Sequence, residues 1–269
     1  MKHLAQVIKL HSLTLMFMVA LTPTSWTHVS QHTSALHLFD YFNQTFIDPA
    51  KWSSPWQCGS PVTECDRDLQ QNQLHLRVRA YGANNSDNGT QFGSSGLNLT
   101  SATVTDIATQ VLIRNSSPQD CATNTAVAHS QVLLFGAFFN GGGGTPVDDV
   151  QAFLQLDHGA TEAPGTAGVG GFLEYQNQFF DNVDLGPVNV GERVTVELRW
   201  DRPNHRFVVR LFRPTYGTKV EQFMPYAISD TSPAASPFKN LSANVFPANC
   251  TGTRTFTDLD VMFDNVMTN

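Results

Sequence analysis

The residues best suited to chemistry lie in one segment, residues 148–157, which reads Asp-Asp-Val-Gln-Ala-Phe-Leu-Gln-Leu-Asp. Side chains in a β-strand alternate between its two faces, so a strand here would place every second residue on one side. That set is Asp149, Gln151, Phe153, Gln155 and Asp157, with Val150, Ala152, Leu154 and Leu156 packed behind it. Carboxylates and amides can bind hydroxyl groups while an aromatic ring stacks on an apolar surface. The segment therefore predicts a binding face for a ligand rich in hydroxyl groups.

A second group of candidates would extend this face. They are Glu174 and Gln176, predicted to share a strand face with Phe172 and Gln178, and Trp56 and Tyr81, predicted on loops at the rim. Singly exposed polar and aromatic groups are routine on protein surfaces, so each residue alone is equally typical of a solvated strand or a loop. We treat them as candidates only as a group.

The elements that position these residues are short strands. Short runs of alternating polarity recur between turns rich in Gly, Asn and Pro, and no helical apolar stripe is sustained. Residues 74–81 alternate between an apolar face and a polar face, and residues 194–200 repeat the pattern. A short polar link containing Pro203 then leads into residues 206–212, which predicts a hairpin. We expect one all-β domain over residues 36–269, folded as an antiparallel β-sandwich.

Residues 1–35 have the features of an export signal. Lys2 and Lys9 precede an apolar run at residues 13–21, no acidic residue is present, and a polar, helix-breaking stretch containing Pro23 follows. The apolar run is well short of the roughly 20 residues that cross a bilayer. We predict a signal peptide cleaved between residues 25 and 35, no membrane span, and a soluble protein secreted to the extracellular space, or to the periplasm of a Gram-negative cell.

The composition narrows the classes of partner. Charged residues make up 14% of the chain and the formal net charge is −7, whereas charged residues are about a quarter of a typical chain. No basic patch is available to bind nucleic acid. The surface is expected to work through neutral hydrogen-bonding groups.

The four cysteines, Cys58, Cys65, Cys121 and Cys250, belong to a chain predicted to enter an oxidising compartment, where disulfides persist. Three pairings are possible. We favour Cys58–Cys65, which closes a short loop, and Cys121–Cys250, which ties a mid-chain loop to the chain end. A zinc site is disfavoured because the sequence has no C-x-x-C and no histidine at ligand spacing.

Several segments follow one another in a familiar order. They are an aromatic-rich stretch ending in a Trp at 39–52, a strand at 72–78, a small-residue turn at 92–96, strands at 108–114 and 132–139, and a closing strand at 263–266. In this order they resemble the laminarinase- and lichenase-type glycoside hydrolases and their non-catalytic relatives in the concanavalin A-like lectin/glucanase superfamily. The resemblance covers nearly all of residues 38–267, and it implies a jelly roll with a concave cleft that holds an oligo- or polysaccharide.

Hydrolases of that superfamily carry the pattern Glu-x-Asp-x-x-Glu on one cleft strand. Residues 148–157 correspond to it, with Asp149 at the first Glu, Gln151 at the Asp and Leu154 at the second Glu. Retaining hydrolysis needs two carboxyl groups about 5 Å apart, and leucine cannot donate a proton. The departure favours a secreted, non-catalytic carbohydrate-binding domain.

Two alternatives stay open. One is a glycoside hydrolase or lyase with relocated acids, using Asp149 or Asp157 together with Glu174. The other is an extracellular structural or adhesion module whose polar strands face solvent, with the cleft filled by the Gly-rich segments at 141–147 or 160–170.

One metal is implied by the resemblance alone. In some of the resembling enzymes an Asp on the last strand joins backbone carbonyls to hold a structural Ca²⁺, and Asp264 matches it by position. The simpler interpretation is an Asp that hydrogen-bonds a neighbouring turn. No other cofactor is expected.

Overall fold

Two antiparallel sheets make up most of the chain that the computed structural model describes, namely residues 35–58, 63–160 and 162–269. The predicted signal peptide lies outside these residues. The only helical segments in the described ranges are the short 3-10 turns Pro146–Asp148, Arg202–Asn204 and Pro214–Tyr216. None of their helices is long and apolar enough to span a membrane.

The larger sheet has eight strands. They are β1 (His37–Asp40), β3 (Thr63–Gln70), β4 (Gln73–Tyr81), β6 (Asp106–Pro118), β11 (Arg193–Asp201), β12 (Arg206–Arg213), β13 (Thr218–Pro225) and β15 (Phe256–Thr268). Its order is β13-β12-β11-β6-β15-β4-β3, with β1 also paired to β15. The predicted hairpin forms as β11 and β12.

The smaller sheet has seven strands. They are β2 (Trp52–Gln57), β5 (Gly93–Leu99), β7 (His129–Asn140), β8 (Asp149–Gly159), β9 (Thr166–Tyr175), β10 (Gln178–Asn189) and β14 (Ser232–Phe246). Its order is β10-β9-β8-β7-β14-β5-β2. The predicted all-β antiparallel sandwich is confirmed. The predicted loop at 160–170 is wrong in its second half, because β9 begins at Thr166.

The apolar core lies between the two sheets. Every second residue of β8 faces inward and is buried, from Val150 to Leu156, and the same alternation buries Leu74 to Ala80 in β4. Full burial of such an aliphatic side chain contributes about 1.5–3 kcal/mol. The two-residue period of the strands then fixes which residues face outward.

Both disulfides join the cysteines that the sequence analysis paired. Cys58 bonds Cys65 across seven residues, and Cys121 bonds Cys250 across 129 residues. The second bond ties the β6–β7 loop to the β14–β15 loop. In the chain-entropy account, a closed loop of this length stabilises the fold by about 4–5 kcal/mol.

A buried histidine sits among acids in the larger sheet. The Nδ1 atom of His75 lies 2.6 Å from Asp68 Oδ1, and its Nε2 atom lies 3.3 Å from Asp260 Oδ1. The side-chain interaction with Asp260 raises the pKa of His75, burial opposes that rise, and Asp68 adds to it. The folded state therefore holds this proton to a higher pH than the unfolded chain does.

This histidine should make stability depend on pH. The contribution of His75 is complete below its unfolded pKa, about 6.5, and is lost as pH rises through the higher pKa of the folded state. Urea unfolding from pH 6 to pH 9 should show the free energy of unfolding of the wild type falling relative to that of His75→Gln. A constant difference between the two proteins across this range would contradict the assignment.

Candidate functional site

The outward side of the seven-stranded sheet, called here the outer face, is organised in rows by the strand registers. One row is Phe238, Ala137, Gln151, Glu174 and Phe179. The second row is Asn98, Asn240, Phe135, Phe153, Phe172 and Asn182. The third row is Ser242, Leu133, Gln155, Gly170 and Asp184. A further row contains Asn244, Gln131, Asp157 and Gly168. Each row crosses several strands, so residues far apart in sequence become neighbours.

The β8 prediction holds for four of its five residues. Gln151, Phe153, Gln155 and Asp157 all lie on the outer face and are partly exposed. Glu174 is the direct partner of Gln151 on β9. Directly opposed residues have Cβ atoms about 4.5–5.5 Å apart, so the amide of Gln151 and the carboxylate of Glu174 adjoin.

Five phenylalanines form a continuous strip on this face, called here the phenylalanine strip. They are Phe135, Phe153, Phe172, Phe179 and Phe238. The rings of Phe135 and Phe153 stack with centroids 5.1 Å apart, and Phe179 meets the rings of both Phe153 and Phe172 at 6.0 Å. Phe179 is 67% exposed, so an apolar surface is open to a ligand.

The sequence analysis missed most of this strip. Phe135 lies in a continuous apolar run that predicts a strand without revealing its outer face, and Phe238 follows a Ser/Pro-rich stretch for which the sequence analysis predicts no strand. Phe179 follows a turn that the sequence analysis interpreted as strand. Alternation within each strand could indicate which residues face outward. The phenylalanine strip also depends on how the strands pair with one another, which alternation does not give.

Beside the strip lies a trough where β9 lacks side chains. A Cβ atom on Gly168 would meet nothing within 4 Å, so the floor between β8 and β10 is open. The resulting cavity of about 230 Å³ has Gln155 and Asp157 on one wall, Asn182 and Asp184 on the other, and Phe172 beside it. We call it the glycine trough. Two carboxylates thus flank it from strands about 10 Å apart.

Few neighbouring groups stabilise the charged form of the acids on the outer face. Asp157 accepts one hydrogen bond, from Gln131 Nε2 at 2.8 Å. Burial raises the pKa of the Asp157 carboxyl, although the hydrogen bond from Gln131 lowers it. Burial also raises the pKa of Glu174. A buried carboxylate without a cation favours any ligand that supplies positive charge or hydrogen-bond donors.

Asp149 is not part of the open face. It is 3% exposed, and it accepts hydrogen bonds from Asn140 Nδ2 at 2.9 Å and from the backbone N–H groups of Ala235 and Ser236 at 2.7 and 2.8 Å. Its assignment as a ligand-binding residue is therefore corrected. The carboxylate instead holds the start of β14 against the start of β8.

Asp149→Ala should destabilise the fold. Removal of the carboxylate deletes the hydrogen bonds from Asn140, Ala235 and Ser236, and a hydrogen bond to a charged group contributes about 1.5–3 kcal/mol. Asn140 keeps its bond to the carbonyl of Thr145, which limits the loss. We expect urea unfolding to show a loss of about 3–5 kcal/mol. Gln151→Ala, two residues along the same strand on the open face, is the control and should cost far less. Equal losses from the two variants would contradict the anchoring role.

The two rim predictions, Tyr81 and Trp56, and the strand prediction for Gln176 fare differently. Tyr81 belongs to β4 of the other sheet, where its hydroxyl donates to Glu64, so it is remote from the outer face. Gln176 lies in the two-residue β9–β10 turn with φ 53°, and its amide donates to Asp148, so it does not share a strand face with Glu174. Trp56 belongs to β2 and pairs with Gly96, so its predicted loop position is wrong; its side chain lies outside the described part of the structure.

The surroundings of Asp264 do not fit a calcium site. Its Oδ2 accepts from Gln73 Nε2 at 3.1 Å and lies 3.9 Å from the Arg193 guanidinium, and its Oδ1 accepts from the N–H of Asn265. A hard cation needs six to eight oxygen ligands, whereas Asp264 faces donors and a positive charge. The position matches the simpler interpretation of a structural Asp.

Neither relocated acid pair suits hydrolysis, Asp157–Glu174 because of its spacing and Asp149–Glu174 because of the hydrogen bonds that engage Asp149. Asp157 pairs with Gly168, and Glu174 is six residues further along β9, a separation of roughly 20 Å at the rise of a strand. Glycosidase carboxyl pairs lie about 5–10 Å apart. Asp149, the other proposed partner of Glu174, has both oxygens engaged in the interior.

No protein-family model matches the chain, and no curated protein matches it. Among solved structures, lectin II from Ulex europaeus is similar at 10% identity and a TM-score of 0.38, covering 80% of this chain and 95% of that one. A protein of unknown function from Shewanella oneidensis MR-1 has 11% identity and a TM-score of 0.45, covering 94% and 96%. A GlcNAcα1-4Gal-releasing endo-β-galactosidase from Clostridium perfringens has 10% identity and a TM-score of 0.42, covering 85% and 61%.

These similarities concern the fold. Their identities are near 10% and their TM-scores are below 0.5, so they carry no argument about a family or a ligand for this chain. What this chain binds has to be argued from its own outer face.

Proposed function

We propose that this protein is a non-catalytic carbohydrate-binding domain whose ligand lies across the outer face of the seven-stranded sheet. The observation that carries the proposal is the combination of the phenylalanine strip with the glycine trough. The strip supplies apolar area for the faces of sugar rings, and the trough supplies space lined by amides and carboxylates for their hydroxyl groups. Binding sites of this kind pair apolar surface with a few polar groups that fix orientation.

The face is open in the described structure, which argues against the structural or adhesion alternative. The second half of the predicted cover at 160–170 is β9 itself, and Phe179 stands exposed at the end of the strip. The hydrolase alternative has no favourable carboxyl pair among the acids predicted for it. Binding without hydrolysis is the function that these two features support best.

The two disulfides support a further part of the proposal, that the protein acts in an oxidising compartment outside the cytosol. Residues 1–35 would then be removed as a signal peptide, leaving the domain 36–269. N-terminal sequencing of the protein isolated from its source would test this, with a first residue between 26 and 36 expected.

A glycan array is the first test of binding. Failure to bind any member of a set containing β-glucans, galactans, amino-sugar polymers and host-type glycans would overturn the proposal.

Phe172→Ala should weaken binding of the saccharide that the array identifies. Loss of one ring that stacks on a sugar should lower affinity by about tenfold, or about 1.4 kcal/mol, as measured by calorimetric titration. Phe212→Ala is the matched control, since Phe212 is an exposed phenylalanine on the other sheet. Equal affinities for the two variants would place the ligand elsewhere.

Gly168→Val separates binding from stability. The added side chain has free space at its Cβ position and suits a strand better than glycine does, so the unfolding midpoint should hold or rise. The same side chain fills the glycine trough, so affinity should fall at least about tenfold. Gly168→Ala should fall between this variant and the wild type. Wild-type affinity in Gly168→Val would exclude the trough as the site.

A further inference from the structure

The basic residues of the strands are segregated between the two sheets. The eight-stranded sheet carries Arg67, Arg77, Arg79, Arg114, Arg193, Arg199, Arg206, Arg210, Arg213 and Lys219. The seven strands of the other sheet carry only Lys239. Lys239 is 1% exposed and points into the core, where its Nζ donates to the carbonyls of Ala102 and Ala137. The outer face therefore presents no lysine or arginine to a ligand.

The acids of the outer face are unpaired, unlike those of the other sheet. On the eight-stranded sheet Arg210 contacts both Glu197 and Glu221, and Asp258 contacts Arg77. The ion pairs among the described residues include none made by Asp157, Glu174 or Asp184.

Two of these carboxylates are aimed at the same cavity. Asp157 and Asp184 flank the glycine trough from β8 and β10, with the phenyl ring of Phe172 beside it. Carboxylates attract an ammonium group, and an aromatic face within about 6 Å of a cation adds about 0.5–2 kcal/mol of attraction. The trough thus combines the two elements that recognise a protonated amine.

We infer that the ligand of the outer face is a polysaccharide of amino sugars with free, protonated amines, such as β-linked glucosamine. This inference rests on the proposed carbohydrate-binding function and specifies its ligand. Amines in the glycine trough would place positive charge beside Asp157 and Asp184, neither of which forms an ion pair within the described residues. Burial of the carboxyl raises the pKa of Asp157 and outweighs His129 and His158, which lie close enough to lower it. Uronic or sulfated polysaccharides would meet like charge along the same face.

A saccharide fits the face better than a basic peptide does. The carboxylates stand among the amides of Gln151, Gln155 and Asn182, which suit the many hydroxyl groups of a sugar chain. A peptide bound by strand addition would pair with the backbone of the edge strand β10, whereas Gln155, Asp157 and Phe172 stand on the face of the interior strands β8 and β9.

Calorimetric titration at pH 6 of a β-linked glucosamine oligomer, its fully N-acetylated counterpart, a neutral β-glucan and polylysine tests the inference. The glucosamine oligomer should bind at least about tenfold more tightly than the acetylated one, and its affinity should fall with added salt because charges are screened. Asp157→Asn and Asp184→Asn should each remove most of this preference. Asp66→Asn is the matched control, with the same charge change on an exposed residue of β3.

Each contrary result has a distinct meaning. Equal, salt-independent binding of the glucosamine and acetylated oligomers, or of the neutral glucan, overturns the inference and leaves carbohydrate binding standing. If polylysine displaces the oligomer at an equal concentration of amines, the outer face attracts cations in general and the inference is overturned. Binding of no saccharide at all removes the proposed function as well. The salt dependence is measured on the wild type, so the test does not rely on the variants folding.

Discussion

The constraint on which the structure depends is the two-residue period of strands whose inner faces must be buried. Val150, Ala152, Leu154 and Leu156 pack against the opposite sheet, and this packing alone decides that the residues between them face outward. A shift of one residue in β8 would exchange the two sets and expose the aliphatic face. The same rule acts on β7, β9 and β14, so core packing aligns the outer rows and brings phenylalanines from five strands together.

Polar anchors hold one end of this arrangement where strand pairing is irregular. The registers of β7 with β8 and of β7 with β14 both shift near Ala137 and Pro233. Asp149 accepts backbone hydrogen bonds from the residues following Pro233, and Lys239 donates to the carbonyl of Ala137. Burial lowers the pKa of Lys239 to about 7, so the chain tolerates an unfavourable buried amine to satisfy carbonyls that the ladder leaves free.

The sequence was informative wherever one strand sufficed. Alternation predicted the inner and outer residues of β4 and β8, and Pro203 marked the β11–β12 hairpin. The sequence was misleading for Asp149. The alternation of polar and apolar residues in β8 gives no sign that the backbone of residues 235–236 will hydrogen-bond to this carboxylate. The phenylalanine strip and the glycine trough depend on the register between strands, which are non-local contacts that a single strand does not encode.

The two sheets use charge in opposite ways, although both follow the same alternation. On the eight-stranded sheet acids and arginines stand opposite each other in register, as Glu197 does with Arg210, and neighbouring unlike charges stabilise a sheet modestly. On the seven-stranded sheet Asp157 and Asp184 instead stand opposite Gly168 and Gly170. Glycine weakens a strand, and Gly168 and Gly170 bring no side chain to these carboxylates, whose hydrogen bonds come instead from Gln131 and from the N–H of Gly186. The two glycines therefore contribute little to stability. An arrangement that costs stability while opening a charged cavity is more consistent with ligand binding than with folding.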